Sequence, residues 1–263
     1  MIRISIFISV FFVMAIWENV ASKRTLTSSK SKRWIDNWLL LAVDAISLRL
    51  LLPIGAVSMA TIAEESGWGL LNQYVLPISI QVILSVVILD FVIYLQHIAF
   101  HAVPFLWRFH AVHHLDKDID VTTAIRFHPV EIVLSMLIKL AVISMLGPPL
   151  ISVLLFEILL NGFALFNHSN IRISKNSDTV LRSVIVTPDM HRVHHSTDRS
   201  EYMSNFGVNF SWWDKLFRTY VDQPEKGHDG MNIGLTKYRD GNFSILALLT
   251  FPFYKKKEAQ NEE

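Results

Sequence analysis

The sequence predicts an all-α integral membrane protein with about four to five transmembrane or re-entrant helices and a histidine-rich helical cap on the cytoplasmic side. Three observations lead to this fold class. Hydrophobic residues make up 51% of the 263 residues and charged residues only 18%, which is too apolar for an ordinary soluble domain. Apolar runs of helical length recur along the chain. The eleven histidines concentrate near the ends of these runs.

The first apolar run covers residues 4–17 and directly follows Arg3. We interpret it as an uncleaved span, because the ENVASK segment after it is a poor cleavage site for a signal peptide and further spans follow. Residues 22–33 contain five cations and no acid, which indicates the cytoplasmic side of the membrane.

The second span, residues 38–62, contains Asp44 and Arg49. Both side chains are costly in hydrocarbon and are expected to face the bundle interior. Pro53 is expected to kink this helix. The loop at 63–73 has two glutamates and no cation, which fits the opposite side of the membrane.

The third span, residues 74–101, returns to the cytoplasmic side, and the mixed segment 104–127 is expected to lie at the interface. Two further apolar runs, 130–146 and 150–166, flank a Gly-Pro-Pro turn signal at 147–149. Both runs are short for full spans, so a re-entrant hairpin is an alternative. In either case the two outer ends of the pair lie on one side of the membrane.

The C-terminal region contains one more apolar segment, residues 243–254. It is too short to span and includes a proline, so it is expected to lie at the membrane interface. The charged tail at 255–263 is expected to be solvated. These assignments divide the chain into N-terminal transmembrane helices (1–89), a histidine-rich domain (90–220) and a C-terminal interfacial segment with its tail (221–263).

Composition also limits the function. A net charge of +1 and the lack of a basic helix give no support to a nucleic-acid partner. The absence of cysteine excludes disulfides and thiolate metal sites, so nitrogen and oxygen ligands would have to hold any metal. No sequence pattern for a nucleotide, haem or iron–sulfur cofactor is present, so a redox reaction would take its electrons from a separate protein.

The first group of histidines follows the third span. His97 and His101 are four residues apart and therefore project from one face of a helix. Asp90 lies on the same stripe, where its carboxylate is expected to accept the second ring N–H of a ligating histidine. After the proline at 104 comes an HxxHH motif, whose three imidazoles are expected to converge. That motif consists of His110, His113 and His114.

A second HxxHH motif lies far downstream and consists of His191, His194 and His195. Thr187 is positioned to cap its helix, with Pro188 at the first helical position. Three further histidines stand alone. His128 and His168 are predicted to lie at the same membrane face as the motifs, whereas His228, in a Gly-rich loop, is expected to be solvated.

Eight imidazoles exceed what one ion binds, so the pattern predicts two metal ions. Iron, zinc and copper all suit imidazole ligands, and the spacing does not select among them. A dinuclear iron site beside lipid would suit oxygen activation, since oxygen and acyl chains both partition into the membrane. The alternative is a histidine-rich membrane metal transporter or metal-binding protein, which would place its ligands along a path through the bilayer.

The motifs taken together resemble those of the membrane fatty acid hydroxylase and sterol desaturase superfamily, from about residue 90 to residue 220. Two positions depart from the family pattern: Ile98 stands where many members carry arginine, and Arg218 where glycine is common. The segments that carry the resemblance are, in order, DFVIYLQHIAFH, LWRFHAVHH, RFHPVE, FNHSNI, TPDMHRVHHS and NFGVNFSWWDKLFRTY.

The resemblance implies a di-iron enzyme that uses oxygen to hydroxylate or desaturate a lipid, a fatty acyl chain or a sterol-like substrate in lipid biosynthesis. It implies two iron ions, which zinc can replace during purification, and electrons from a separate reductase with a ferredoxin or cytochrome. No catalytic residue is implied beyond the metal ligands. The implied ligands are His97, His101, His110, His113, His114, His191, His194 and His195, with His168 as a ninth and His128 as a tenth.

Residues expected to orient these ligands are Asp90, Glu131, Asn170 and Asp189. The protein is expected to be integral to the membrane, with the metal site on the cytoplasmic face. That membrane would be the inner membrane of a bacterium, or the endoplasmic reticulum in a eukaryote.

Overall fold

A computed structural model describes residues 2–239 and 243–254, and within them all regular structure is helical, as the sequence predicts. The longer helices are α1 (Ile2–Val20), α2 (Lys30–Leu51), α3 (Ala56–Glu65), α4 (Ile78–Ala102), α5 (Pro104–His114), α6 (Pro129–Leu146) and α7 (Leu150–His168). The shorter helices are α8 (Lys175–Leu181), α9 (Pro188–His194), α10 (Arg199–Tyr202), α11 (Trp212–Leu216), α12 (Gly227–Gly230) and α13 (Ile245–Thr250). Short 3₁₀ turns lie at Leu70–Gln73, Val121–Ile125, Thr236–Tyr238 and Phe251–Phe253. The predicted tail at 255–263 lies outside the described residues.

Five helical segments of the described chain are long and apolar enough to cross a bilayer, which confirms a multi-pass membrane protein. The two arms of the predicted hairpin, α6 and α7, are among them. At 1.5 Å per residue their 18 and 19 residues reach about 27 Å, close to a hydrocarbon core of about 30 Å. The five segments are Ile2–Val20, Lys30–Gln73, Ile78–Ala102, Pro129–Leu146 and Leu150–His168.

The second span differs from its prediction at both ends. Helix α2 begins at Lys30, eight residues before the predicted start of the span at residue 38. Its first turn is stabilised by tertiary contacts, because Arg33 is buried and forms ion pairs with Asp116 at 2.8 Å and Asp120 at 2.5 Å. The helix ends at Leu51, and the chain turns through Pro53 into the separate helix α3. The proline therefore breaks the span.

The two charged residues predicted to face the bundle interior behave differently. Asp44 is buried, as expected. Arg49 is exposed in the last turn of α2, so its prediction was wrong. A long arginine side chain near a helix end can extend its guanidinium towards the membrane surface, which removes the need for an interior partner.

The membrane core forms where α3, α4, α6 and α7 meet. Leu89, Ile143 and Phe156 are buried there against the small Ala60 of α3, which lets that helix approach closely. Helix α6 ends at Gly147, whose φ of 64° is the left-handed cap conformation that glycine adopts without strain. The predicted turn at this point is therefore confirmed.

Helix α1 runs parallel to α7 and contacts it at both ends. Near the start of α1, Arg3 forms an ion pair with the buried Glu157 of α7. Lys139 of α6 lies 3.7 Å from the same carboxylate. At the other end, Glu18 accepts hydrogen bonds at 2.7 Å from the backbone N–H groups of Asn170 and Val121. The first apolar segment is thus packed into the bundle.

The cap lies at the end of the bundle where α4 and α7 finish and α6 starts. Helix α5 turns over this end from Pro104, and α9 begins with the predicted cap, in which Thr187 Oγ1 accepts from the Met190 N–H at 3.3 Å. The C-terminal α13 packs on α2 and α5 through Leu248, while Leu246 and Phe253 are exposed. That mixture of contacts suits the predicted interfacial segment.

Candidate metal centre

Nine of the eleven histidines meet in the cap as two adjoining clusters, and none of the nine is more than 9% exposed. Within each cluster one ring nitrogen from each histidine lies within 4.8 Å of those of all the others. The five-histidine cluster consists of His97, His101, His110, His114 and His194. The four-histidine cluster consists of His113, His168, His191 and His195.

Each HxxHH motif divides between the two clusters. His110 and His114 belong to the five-histidine cluster, and their neighbour His113 belongs to the other. On α9 the division is reversed, since His194 joins the five-histidine cluster and His191 and His195 join the four-histidine cluster. The expected convergence of all three imidazoles of a motif on one point is therefore not observed.

Helical geometry explains this division. Residues four apart differ by only about 40° around a helix, so the pairs His97/His101, His110/His114 and His191/His195 each stay together. Adjacent residues differ by about 100°, which directs the two rings of an HH pair to different places. A motif with both spacings can therefore contact two neighbouring sites at once.

Most of the orienting contacts come from the backbone. A carbonyl oxygen can only accept, so each ring that contacts one carries its proton on Nδ1 and leaves the lone pair of Nε2 free. The Nδ1 donations are His97 to Phe206 at 2.7 Å, His113 to Arg126 at 3.1 Å, His168 to Ala164 at 2.7 Å and His194 to Ser204 at 2.7 Å.

His110 is oriented differently, by a side chain. Its Nδ1 lies 2.7 Å from Oε1 of Glu131, and both residues are buried. An ionised carboxylate also only accepts, so Nε2 of His110 is again the free nitrogen. A carboxylate partner raises the basicity of an imidazole more than a carbonyl does, which strengthens His110 as a ligand.

In the five-histidine cluster all five Nε2 atoms are buried and have no hydrogen-bond partner. Five neighbouring ring nitrogens without a partner are costly in a buried site unless a cation lies among them. The donor set of neutral imidazole nitrogens suits iron, zinc or copper.

The four-histidine cluster has the same character and is tighter. Nε2 of His168 lies 3.0 Å from Nε2 of His113 and 3.0 Å from Nε2 of His191. His113 and His168 both carry their proton on Nδ1, so their facing Nε2 atoms cannot share a hydrogen bond. Two nitrogens bound to one ion at about 2.1 Å and at right angles would also lie about 3 Å apart. The spacing therefore fits a shared metal ion.

Burial keeps the cap histidines neutral, which metal ligation requires. Desolvation lowers the pKa of His194 to about 3. Desolvation, together with repulsion from neighbouring imidazoles, lowers the pKa of four other cap rings well below the ordinary value. Those four are His113, His114, His191 and His195.

Comparison with known proteins identifies the family. The profile of the fatty acid hydroxylase family matches residues 82–219, just over half of the chain. The chain belongs to the fatty acid hydroxylase family. The resemblance predicted from the motifs is confirmed, and the matched residues include all nine clustered histidines.

Several curated relatives match this hydroxylase-family chain. An ornithine lipid hydroxylase of Rhizobium tropici is 32% identical over 181 residues, 68% of this chain and 52% of that protein. The human alkylglycerol monooxygenase is 30% identical over 137 residues, 52% of this chain and 30% of that protein. The Caenorhabditis elegans alkylglycerol monooxygenase is 31% identical over 133 residues, 50% of this chain and 25% of that protein. The match thus spans about half of the first relative and less than a third of the others. No solved structure matches significantly.

Of the four residues expected to orient ligands, only Glu131 contacts a clustered histidine. Asp90 instead accepts from Nε1 of Trp213 at 2.7 Å, because the Phe206 carbonyl already occupies Nδ1 of His97. The other two, Asn170 and Asp189, contact the loop between α1 and α2 instead of a clustered histidine. Asn170 accepts from the Arg24 N–H at 3.0 Å and Asp189 pairs with Lys23 at 2.6 Å.

His128 lies outside both clusters, so the geometry does not support it as a tenth ligand. Its Nδ1 accepts from the Val130 N–H at 3.2 Å and caps α6, and its Nε2 lies 3.1 Å from the Leu249 carbonyl. Both ring nitrogens are therefore already used. His228 also lies outside the clusters, but it is not solvated: its side chain is 9% exposed and packs 3.6 Å from Asp189.

The loop that orients His97 is held by Asp214, which lies in the last of the segments that carry the family resemblance. The carboxylate of Asp214 accepts from the backbone N–H groups of Phe206 and Gly207, both at 2.8 Å. A Cβ on Gly207 would lie only 2.8 Å from the Asp214 carboxylate, so glycine is needed for this approach. Asp214 thereby holds the Phe206 carbonyl against His97. Side-chain patterns do not reveal such backbone acceptors, and sequence reasoning missed them.

Proposed function

We propose that this protein is a membrane-bound, oxygen-dependent lipid hydroxylase whose nine clustered histidines hold two iron ions. One observation carries the proposal: buried imidazole nitrogens, with their lone pairs free, face one another in two adjoining groups. Family membership supports iron as the metal. Iron at such a site supplies the activation of oxygen for insertion into an unactivated C–H bond.

The chain's own residues would have three roles in this reaction. The histidines hold the ions, and carbonyl or carboxylate partners fix their tautomers. Burial of the cap excludes water, which would otherwise compete for the oxidant. The apolar spans α4, α6 and α7 would position a lipid chain beneath the clusters, since both His97 and His168 lie where a span ends.

The position of the clustered histidines argues against the alternative function, metal transport. A transporter places polar ligands along a path through the bilayer, with binding near the midplane. Here the clustered histidines gather at one end of the bundle. Two charged side chains that lie deeper, Glu157 and Lys139, are 3.7 Å apart, and Glu157 also pairs with Arg3, so neither is free.

We also infer that the clusters face the cytoplasm. The cationic loop between α1 and α2 contacts the cap through Lys23 and Arg24, so loop and cap share one side of the membrane. The last turn of α3 carries two exposed glutamates, and neither this turn nor the loop that follows it has a cation. This charge asymmetry follows the positive-inside rule. The membrane would be the inner membrane of a bacterium, or the endoplasmic reticulum in a eukaryote.

The substrate class proposed is a polar membrane lipid with an acyl or alkyl chain. Support comes from the relatives, whose names describe a hydroxylase of ornithine lipid and monooxygenases of alkylglycerol. Both names describe oxygen insertion, so hydroxylation is preferred over desaturation. The electrons would come from a separate reductase with a ferredoxin or cytochrome.

Metal analysis combined with comparative lipidomics tests the proposal. Protein purified without oxygen is expected to contain iron, and host lipids are expected to gain an oxygen atom when the protein is produced. The double variant His194→Ala, His195→Ala removes one ligand from each cluster and is expected to lose both the iron and the new lipids. His228→Ala, a histidine outside the clusters, is the matched control. Full lipid oxidation by the double variant would refute the assignment.

A further inference from the structure

Two aromatic side chains connect the five-histidine cluster to the surface of the cap. The Trp107 ring centroid lies 4.9 Å from that of His101 and 5.5 Å from that of His114. Tyr202 stacks on Trp107 with ring centroids 5.8 Å apart and ring planes 12° apart, and its centroid lies 6.3 Å from that of His101. Trp107 and Tyr202 are both half-buried, so the pair extends from the buried histidines to solvent.

Local structure explains why this pair forms. Trp107 precedes His110 by three residues and His114 by seven, so it lies on the same stripe of α5 as these two histidines. Tyr202 ends α10, two residues before Ser204, whose carbonyl orients His194. The segment that orients His194 therefore also positions the Tyr202 ring.

These two rings differ chemically from the other rings at the clusters. Phe206 and Phe127 also contact clustered histidines, but a phenylalanine ring is too hard to oxidise at biological potentials. Indole and phenol rings lose one electron readily. Within the described parts of the chain, Trp107 and Tyr202 are the only tryptophan and tyrosine whose rings are in contact with a clustered histidine.

We propose that Trp107 and Tyr202 form a one-electron relay that discharges the five-histidine cluster when it has been oxidised by oxygen and no lipid is bound. This proposal rests on the proposed function, because it needs a metal that oxygen oxidises. Without a C–H bond to attack, such an oxidant would otherwise attack the nearest ligands, His101 and His114.

Electron transfer through the relay has three steps. One electron passes from the indole of Trp107 to the oxidised centre, which is reduced by one electron. One electron then passes from Tyr202 to Trp107, and the phenol proton of Tyr202 is released to water at the cap surface. Trp107 is restored and a neutral tyrosyl radical remains. The separate electron-carrier protein then supplies one electron, and water supplies one proton, which restores Tyr202.

The experiment exposes anaerobically purified, iron-containing protein to oxygen without lipid and follows radicals by electron paramagnetic resonance. The native protein is expected to give a tyrosyl signal. Tyr202→Phe is expected to lose it and to retain an indole signal. Trp107→Phe is expected to lose the indole signal and to give a weaker tyrosyl signal, because only the longer contact between Tyr202 and His101 remains, 6.3 Å between ring centroids. Trp107→Tyr, which restores an oxidisable ring, is expected to recover the full tyrosyl signal. Trp68→Phe, at the exposed loop after α3, is the matched control.

Oxidative damage gives a second readout. Mass spectrometry of the same samples is expected to show oxidised His101 and His114 accumulating about tenfold faster in Trp107→Phe, the change that a modest rise in the barrier to discharge would produce. Iron content is measured first in every variant. Normal iron with an unchanged tyrosyl signal in Tyr202→Phe, or with no radical in the native protein, would overturn the relay alone. Native protein without iron would overturn the proposed function and the relay together.

Discussion

The two histidine clusters share helices α5 and α9 but differ in their third helix, which is α4 for the five-histidine cluster and α7 for the other. They also differ in how their rings are oriented. The four-histidine cluster has Nε2 atoms as near as 3.0 Å, and its oriented rings donate to backbone carbonyls. The five-histidine cluster has five free Nε2 atoms, a carboxylate behind His110 and an indole beside His101. The four-histidine cluster thus relies on backbone partners and close ring contacts, whereas the five-histidine cluster also has a carboxylate and an indole that can tune its reactivity.

Removal of a ligand from only one cluster should have the largest effect and tests whether the clusters are separate sites. His168 contacts both His113 and His191, and it belongs only to the four-histidine cluster. His168→Ala is expected to release roughly half of the bound iron, since each ion needs its own complete ligand set. His101→Ala should release the other half. Iron and zinc analysis of the two variants checks this, and loss of all metal from either would contradict separate sites.

Glu131→Gln tests the difference in orientation. The glutamine oxygen can still accept from His110, but the negative charge is lost. Because such partners tune ligand strength, the five-histidine cluster is expected to bind its ion about tenfold more weakly, with the four-histidine cluster unchanged. Competition with a metal chelator measures both affinities. Glu65→Gln, at the exposed last residue of α3, is the control, and equal weakening of both sites would contradict the assignment.

His128→Ala tests the boundary of the clusters. This side chain caps α6, so its removal is expected to lower the free energy of unfolding by about 1 kcal/mol. Iron content should not change. His128→Asn, which keeps a capping side chain, should recover most of the stability. Thermal unfolding in detergent and metal analysis are the two measurements, and a loss of iron from the alanine variant would return His128 to the ligand set.

The smallest expected effect is at Arg218, near the loop that orients His97. Its φ of 61° is left-handed, a conformation that costs a residue with a side chain about 1–2 kcal/mol relative to glycine. Arg218→Gly is therefore expected to raise the unfolding temperature slightly, whereas Arg218→Ala should not. Thermal unfolding distinguishes them, and destabilisation by glycine would show that the arginine side chain makes a compensating contact.

Much of the site could be predicted from periodicity. The pairs His97/His101, His110/His114 and His191/His195 follow from the i, i+4 rule, and the α9 cap follows from Thr187 and Pro188. The division of each HxxHH motif could not be predicted, because it depends on where a second helix places its own rings. The left-handed φ of residue 218 accounts for the glycine that is common at this position in the family pattern.

The interactions that sequence reasoning missed are of two physical kinds. Every residue has a carbonyl, so nothing in the sequence marks those of Phe206 and Ser204 as acceptors for histidine. Long-range ion pairs are the second kind. Arg33 extends α2 because it pairs with Asp116 and Asp120, which lie more than eighty positions away in the sequence and so cannot be linked to it by a local pattern. The charge of residues 22–33 predicts only their side of the membrane, not the helix that begins at Lys30.

The adjacent histidines of each HH pair have a consequence for how metal is loaded. Helices α5 and α9 each contribute to both clusters, so an ion bound at one cluster immobilises rings that the other needs. The first ion would bear the conformational cost of ordering the two helices, and the second would bind to a site already arranged for it. Metal uptake by the empty protein should therefore be weakly cooperative: the second ion binds more tightly than the first, yet each cluster still holds its own ion when the other lacks a ligand.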